Sequence, residues 1–352
     1  MSNIGQPERA TQNRVISLFQ HELNYHYLGD WADRPNHSNS DYSLLTAYLN
    51  KSGYRPAQIS RTLDQLHSEA KNPNRSLYDN NKAVYSLLRY GVPVKAAVNE
   101  STETVWLINW DEPSQNDFAI AEEVTLKGNH ERRPDLVLYL NGLAIAVLEL
   151  KNSRVSIGDG IRQNLSNQQP EFNAWFFSTV QWVLAGNDSE GLQYGTIGTP
   201  EKFFLKWKED EADNSRFKLD KYLLKLCNPA RLIELVHDFV LFDGGIKKLP
   251  RVHQYFGIKA AQAFVQQRKG GILWHTQGSG KSITMACYAG KLLQQPEMKN
   301  PTLVVVTDRN DLDGQLFATF SAASDLLKTT PVQAGDRDEL REMLASREAG
   351  GI

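Results

Sequence analysis

Two apolar runs, Leu136-Val137-Leu138-Tyr139-Leu140 and Leu143-Ala144-Ile145-Ala146-Val147-Leu148, flank Asn141-Gly142. An Asn-Gly pair between runs rich in Val, Ile, Leu and Tyr predicts two antiparallel strands joined by a tight turn. Charge is confined to the open end, with Asp135 before the first run and Glu149 and Lys151 closing the second. Side chains alternate along a strand, so Glu149 and Lys151 share a face. Register decides whether Asp135 joins them. A two-residue Asn141-Gly142 loop pairs Leu140 with Leu143 and Asp135 with Leu148, leaving Asp135 on the opposite face. A three-residue loop with Gly142 left-handed in a bulge restores it, as does irregular geometry where Asp135 enters its strand. One of these two is expected.

Around the hairpin, Val15, Ile16, Leu18, Phe19 and Leu23 recur at helical spacing and predict an amphipathic helix over 12–23. Further helices are predicted over 41–49, 56–67 and 80–90, the last stopped by Gly91 and Pro93. Strand patterns follow at 94–98, 104–110 and 118–125, then a polar helix at 158–169 with Ile161 and Leu165 four apart. An aromatic and aliphatic strand is predicted over 176–186, and the segments at 194–196 and 203–208 close the unit. Pro229 opens an apolar helix that Asp243-Gly244-Gly245 and Lys247-Lys248-Leu249-Pro250 interrupt. The pattern is α/β with a mixed central sheet, divided into domains 1–245 and 246–352.

The second domain carries its own signature. A predicted strand Gly271-Ile272-Leu273-Trp274 leads into His275-Thr276-Gln277-Gly278-Ser279-Gly280, and Lys281-Ser282 opens a helix running to about Leu293. Strand, glycine-rich turn and Lys-Ser helix start form the context of a P-loop. Gly278 and Gly280 let successive backbone N–H groups face one anion. Lys281 reaches the β- and γ-phosphates of ATP and Ser282 ligates Mg²⁺, with Thr276, Gln277 and Ser279 completing the nucleotide-binding loop. A second buried strand is predicted at Thr302–Thr307.

Composition narrows the setting. At 352 residues, 41% hydrophobic and 23% charged, the chain is long enough for two cores. No apolar run approaches the roughly 18 residues of a membrane span, and only Cys227 and Cys287 occur, so a reduced, cytoplasmic protein is expected. A net charge of −2 provides no global attraction to DNA. Nucleic-acid binding would need local basic patches, for which the candidates are Arg132 and Arg133, Arg154 and Arg162, and Lys247, Lys248 and Arg251.

The open end of the hairpin sets up a chemical problem. Two carboxylates converging there repel each other and are costly to desolvate, so a cation belongs between them. Mg²⁺ fits, because it takes one or two carboxylates and leaves positions for phosphate oxygens and water. Lys151 then supports the attacking water and the charge developing on phosphorus. The plain alternative is a solvated strand end.

Pro134-Asp135 with Glu149-Leu150-Lys151 resembles the PD-(D/E)xK nuclease signature. Together with the stretch Asn80–Val92, Asn116-Asp117-Phe118, Arg133-Pro134-Asp135 and Asn141-Gly142, it resembles the amino-terminal part of the restriction (R) subunit of type I restriction-modification enzymes. The resemblance implies a PD-(D/E)xK endonuclease domain followed by the start of a RecA-like, superfamily-two ATPase lobe. It also implies double-stranded DNA as substrate, and methyltransferase (M) and specificity (S) subunits as partners. Asp135 and Glu149 would hold Mg²⁺, with Lys151 catalytic. Gln163 sits where the family carries Gln-x-x-x-Tyr beside the nuclease site, although position 167 is Asn here. An acidic residue of the first helix assists the metal site in this family, a role open to Glu8 or Glu22. Arg251-Val252-His253-Gln254-Tyr255 resembles the adenine-reading segment, with Gln254 recognising the base, and Thr307–Leu312 resembles motif Ia. No Asp-Glu pair follows a third apolar strand, so ATP binding without hydrolysis is expected of these residues. A P-loop protein with a non-catalytic amino-terminal domain, or a non-enzymatic remnant, remains the alternative.

Overall fold

The computed structural model describes residues 8–35, 37–97, 99–128, 130–308 and 310–346. Val98, at the end of a predicted strand, and Arg309, within the motif Ia segment, lie outside them. The chain divides into a unit of Met1–His237 with Gly245–Lys247 and a unit of Asp238–Gly244 with Lys248–Ile352.

In the first unit, α1 (Glu8–His21) precedes β1 (His26–Asp30), then α2 (Tyr42–Lys51), α3 (Pro56–Ala70) and α4 (Leu77–Tyr90). The helix starts follow local chemistry: Asp41 caps α2 by accepting from Leu44 N–H, and Ser76 caps α4 by accepting from Asp79 N–H. The short strands β2 (Val92–Val94) and β3 (Glu103–Val105) pair only with each other, outside the central sheet. The sheet strands that follow are β4 (Phe118–Glu122), β5 (Leu136–Leu140), β6 (Leu143–Leu150), β7 (Trp182–Asn187), β8 (Gly191–Gly195) and β9 (Leu205–Lys206), with α5 (Ile157–Asn167) between β6 and β7. Helices α6 (Lys218–Leu226) and α7 (Pro229–Asp238) end this part of the chain.

The seven-stranded sheet runs β1-β4-β5-β6-β7-β8-β9. It is mixed, with β1 parallel to β4, β6 parallel to β7, and the remaining neighbours antiparallel. Edge strand β1 had no clear apolar pattern, which is why the sequence did not predict it. The strand expected over 176–186 begins only at Trp182. Ala174–Ser178 forms a 3₁₀ turn that buries Phe176 and Phe177 against Val137, Tyr139, Val183 and Ile161. That aromatic cluster, with Ile157 and Ile161 of α5, forms the core over one sheet face.

The β5–β6 hairpin settles the register question in an unexpected place. Leu140 pairs with Leu143, so the loop is the two-residue Asn141-Gly142, with φ of +53° and +86°, and the three-residue loop is not formed. The ladder then steps from Tyr139–Ala144 to Leu138–Ala146, leaving Ile145 as an extra residue. This bulge restores the parity that the turn would have lost. Leu136 faces Leu148, and the next pair along brings Asp135 to Glu149.

At the turn, the Asn141 side chain accepts from Asp117 N–H at 2.7 Å and donates to Leu107 O at 2.9 Å and Asn116 Oδ1 at 2.8 Å. Gly142 O accepts from Asp41 N–H at 2.7 Å, and a Cβ on Gly142 would meet Leu45 N at 2.7 Å. Lys247, a sequence candidate for a DNA-facing patch, is instead buried in this unit. Its ammonium donates to Asn81 Oδ1 at 2.8 Å and Gln181 Oε1 at 2.6 Å, which ties residues 245–247 here.

The second unit contains α8 (Val252–Gln266), α9 (Lys281–Gln294), α10 (Asn310–Ala322), α11 (Ser324–Leu327) and α12 (Arg337–Ser346). Neither predicted strand forms. Residues 271–274 and 303–307 run without sheet pairing, and Ile272, Trp274 and Val306 are 93%, 89% and 82% exposed. A parallel strand needs neighbours on its edges and helices on its faces, and these segments have no pairing strand among the described residues of the unit.

Replacing Asn141 with Ala removes three buried hydrogen bonds and places a β-carbon residue without a polar side chain at positive φ. It should lower unfolding stability by about 2–3 kcal/mol, read from urea denaturation. An unchanged midpoint would contradict this account of the turn.

Candidate active site

Strand β6 delivers Glu149 to the α5 side of the sheet, in step with Val147 of the core, and Lys151 follows two residues on. Asp135 stands at the start of β5, and its Oδ2 accepts from Leu150 N–H at 2.6 Å. The aspartate is thereby pinned to the peptide between Glu149 and Lys151. Helix α1 closes the site from the other side: Gln12 Nε2 donates to Asp135 O at 3.3 Å and to Glu122 Oε2 at 3.0 Å, and Glu8 Oε1 lies 3.2 Å from Lys151 Nζ. Of the two acidic candidates, Glu8 is the one that lies at this site. Glu22, just past the carboxyl end of α1, pairs with Arg216 at 2.7 Å.

The electrostatics are those of a crowded anionic pocket. Burial pushes Asp135 up to about 6, against the pull of the Leu150 N–H and the Lys151 ammonium. Glu149 is fully buried, and burial with the neighbouring Asp135 charge holds it well above the usual carboxylate range. Neither Glu149 oxygen meets an N–H or hydroxyl donor, and its hydrogen-bonding neighbour is the Asp135 carboxyl, with which it can share a proton. Burial pulls the Lys151 ammonium down, but Asp135, Glu149 and Glu8 outweigh it and leave its pKa raised.

Two buried acids satisfied only by each other are costly to ionise, and a divalent cation between them would offset that cost. Among the described residues no group of three or more His, Cys, Asp or Glu side chains is placed to hold a metal, so the carboxyls available to one at this site are Asp135 and Glu149. That suits Mg²⁺, which needs only one or two protein carboxylates.

Gln163 lies half-buried on α5, three residues after Gly160. A Cβ built on Gly160 would lie 3.5 Å from Glu149 Cβ and 3.4 Å from Lys151 Cγ, so this turn of α5 passes directly over the pair. Gln163 is one turn farther along that side. Asn167 is buried, with neither side-chain polar atom partnered. Of the basic candidates nearby, Arg162 is taken up by Asp159 and Glu201, and Arg132 lies over the Phe172 ring at 4.2 Å. Sequence reading missed Gln12, which joins α1 to the start of β5. A glutamine inside an amphipathic helix gives no signal of such a contact.

In the second unit, Gly278 and Gly280 adopt positive φ (+74° and +86°), and Lys281 begins α9. Thr276, Gln277 and Gly278 are exposed, while Ser279 is buried and donates to Thr276 O at 2.6 Å. Lys281 Nζ donates to His275 O at 3.1 Å and Thr276 O at 3.0 Å, occupying the concavity of its own loop. Ser282, next on the helix, is half-buried. Gln254, expected at the base, instead fastens the loop: its Nε2 donates to Gly280 O at 3.0 Å and Thr284 Oγ1 at 3.2 Å, and its Oε1 accepts from Arg251 N–H at 2.7 Å.

Comparison with known proteins decides the family. Residues 5–202 match the family described as type I restriction enzyme R protein N terminus. The chain belongs to that family. Residues 253–352 match the SWI2/SNF2 ATPase family. The HindI endonuclease subunit of a type I restriction enzyme from Haemophilus influenzae is 37% identical over 311 residues, covering 82% of this chain and 29% of that protein. A putative type I restriction enzyme MjaIXP endonuclease subunit from Methanocaldococcus jannaschii is 29% identical over 309 residues, covering 77% of this chain and 29% of that protein. This member of the R-protein family thus spans under a third of the length of these relatives. No described helix is long and apolar enough to cross a membrane.

Because folding raises the Asp135 pKa, the folded chain holds more protons than the unfolded chain above about pH 4, and stability falls as pH rises through about 6. Asp135→Asn keeps an acceptor for Leu150 N–H but removes the charge. It should be more stable than the wild type by about 1–2 kcal/mol at pH 8 without divalent metal, with the gap closing below pH ~4. Denaturation midpoints across that range test this, and a gap independent of pH would refute it.

Proposed function

We propose that the chain is the amino-terminal part of an ATP-dependent type I site-specific deoxyribonuclease R subunit, with a PD-(D/E)xK endonuclease unit followed by the start of a RecA-like translocase lobe. The observation that carries the nuclease reading is Glu149: a fully buried carboxyl that meets no N–H or hydroxyl donor and shares its site with the Asp135 carboxyl and the Lys151 ammonium. A structural acid at a strand end would be solvated or bonded to an N–H or hydroxyl donor, and Glu149 meets only a second acid, Asp135.

In this reading Asp135 and Glu149 hold Mg²⁺, which when bound supplies Lewis acidity toward a phosphodiester. Lys151 orients the attacking water and offsets the charge developing on phosphorus. Glu8 holds the Lys151 ammonium in place, and the Leu150 N–H fixes the angle of the Asp135 carboxylate. Gln163, on the turn of α5 beyond Gly160, positions the scissile strand. In the second unit, Thr276 to Ser282 cradle the phosphates of ATP, with Lys281 leaving its loop carbonyls for the β- and γ-phosphates and Ser282 serving Mg²⁺. The relatives named as type I restriction endonuclease subunits support duplex DNA as substrate, translocation driven by ATP, and assembly with methyltransferase and specificity subunits.

Two outcomes are expected. Mn²⁺, used as a spin probe for Mg²⁺, should bind the chain, and Glu149→Gln or Asp135→Ala should weaken it at least about tenfold, the loss expected when one of two carboxylate ligands is removed. Metal-dependent cleavage by the assembled enzyme should fall at least about a hundredfold in Lys151→Ala, whereas retained cleavage would end the nuclease assignment. Separately, Lys281→Ala should reduce binding of a fluorescent ATP analogue about tenfold or more. Undiminished binding would remove the nucleotide role of this loop.

A further inference from the structure

The first unit also carries a pocket of about 600 Å³ between the carboxyl end of α2 and the loop at 106–115. Among its lining residues are Tyr48, Tyr54, Trp106, Trp110, Asp111 and Glu112. The loop is tied to the turn of the β5–β6 hairpin through Asn141, so the pocket belongs to the end of the hairpin opposite to Asp135 and Glu149.

Three asparagines hold this loop in one shape. Asn116 Oδ1 accepts from Asn109 N–H at 2.8 Å and its Nδ2 donates to Asn109 O at 2.7 Å, while Asn109 Oδ1 accepts from Glu112 N–H at 2.9 Å. Asn141 Nδ2 joins them by donating to Asn116 Oδ1 at 2.8 Å and Leu107 O at 2.9 Å. The Tyr54 hydroxyl accepts from Trp106 N–H at 2.9 Å, which fixes the backbone under that indole. A guest therefore meets a surface ordered before it arrives, and little loop entropy is lost on binding.

Three side chains on the braced loop are uncommitted. The Trp106 indole is 42% exposed and makes no hydrogen bond, ring contact or cation contact among the described residues. Asp111 and Glu112 are exposed, and neither carboxylate has an ion pair or hydrogen bond among the described residues. Lys51, which also lines the pocket, is already paired with Asp117 at 3.0 Å. All three free groups are open to solvent and line one pocket, so a guest can meet them without breaking any bond that holds the fold. Two free carboxylates repel a phosphate, and an aromatic face beside them attracts a cation. A guanidinium suits the set better than an ammonium, because its plane stacks on an indole while its N–H fork bonds carboxylate oxygens.

We propose that this pocket docks an arginine side chain of a partner protein. The guanidinium stacks on Trp106 and turns its N–H fork toward Asp111 and Glu112, and the remaining volume takes the peptide that carries it. Tryptophan, tyrosine and arginine are the residues that dominate binding at protein interfaces, and here two of the three are supplied by the pocket. Docking of this kind needs no metal or nucleotide and uses none of Asp135, Glu149 and Lys151.

The test uses the full chain with ¹⁵N-labelled indoles, the Trp106 signal being identified by its loss in Trp106→Phe. The peptide acetyl-Gly-Arg-Gly-amide is titrated to millimolar concentration, alongside the same peptide with citrulline or lysine in place of arginine. The arginine peptide should shift the Trp106 signal saturably and bind about tenfold tighter than the citrulline peptide, which keeps the shape and loses the charge. The double variant Asp111→Asn, Glu112→Gln alters only exposed side chains and should weaken the arginine peptide about tenfold, with the other indole signals unmoved. Raised salt should weaken binding to the unaltered chain more than to the double variant. Equal binding of the arginine and citrulline peptides, or binding unchanged in the double variant, would overturn the proposal. Lysine binding as tightly as arginine would overturn the choice of a guanidinium. A concentration-dependent dimer that Trp106→Phe abolishes would make the occupant a second copy of this chain and overturn the partner assignment.

Discussion

A like-charge pair held at the end of an apolar hairpin is the constraint around which the first unit is arranged. Asp135 and Glu149 cannot both ionise cheaply in that position, and the surrounding elements act against their separation. The Leu150 N–H holds Asp135 to β6, Gln12 holds the start of β5 to α1, and Glu8 draws Lys151 inward. Each of these contacts joins segments more than ten residues apart in sequence, so the site exists only once the sheet and α1 are assembled. In the proposed reading, the stability lost by confining two acids is the counterpart of the affinity they would offer a divalent cation.

The two ends of the hairpin are built on opposite principles. At the turn, both polar atoms of the Asn141 side chain are bonded, and the peptide of Gly142 lies directly against the start of α2. At the open end, Glu149 meets no N–H or hydroxyl donor, only the Asp135 carboxyl. A fully satisfied network fixes geometry, whereas an unsatisfied one leaves capacity for a ligand. Between them lies the Ile145 bulge, one residue of extra chain that sets which face the acids share.

The second unit shows a different balance. Its P-loop has the positive-φ glycines and helix start that a phosphate site requires, and Gln254 secures the loop from α8. Lys281 rests on the loop's own carbonyls, so the proposed nucleotide binding would entail exchanging those neutral contacts for phosphate oxygens. The apolar segments at 271–274 and 303–307 remain largely exposed, which separates the local competence of the loop from the formation of a sheet around it.

Local chemistry along the chain determined much of this. The Asn141-Gly142 turn, the capped starts at Asp41 and Ser76, the chemistry-bearing acids and the P-loop glycines all follow from short-range rules, and they were legible because backbone conformation at those positions depends on near neighbours. Register was not. Every residue of β5 and β6 is buried, so the apolar run has no alternation to distinguish one residue's slip from the next, and only pairing with β4 and β7 placed the extra residue at Ile145. The same holds for Lys247, which looked like a surface cation until Asn81 and Gln181 enclosed it, and for the choice of Glu8 over Glu22, which rests on where α1 crosses the sheet. Sequence supplied the groups and their local geometry; which of them meet depends on contacts between distant segments, and those carry no local signature.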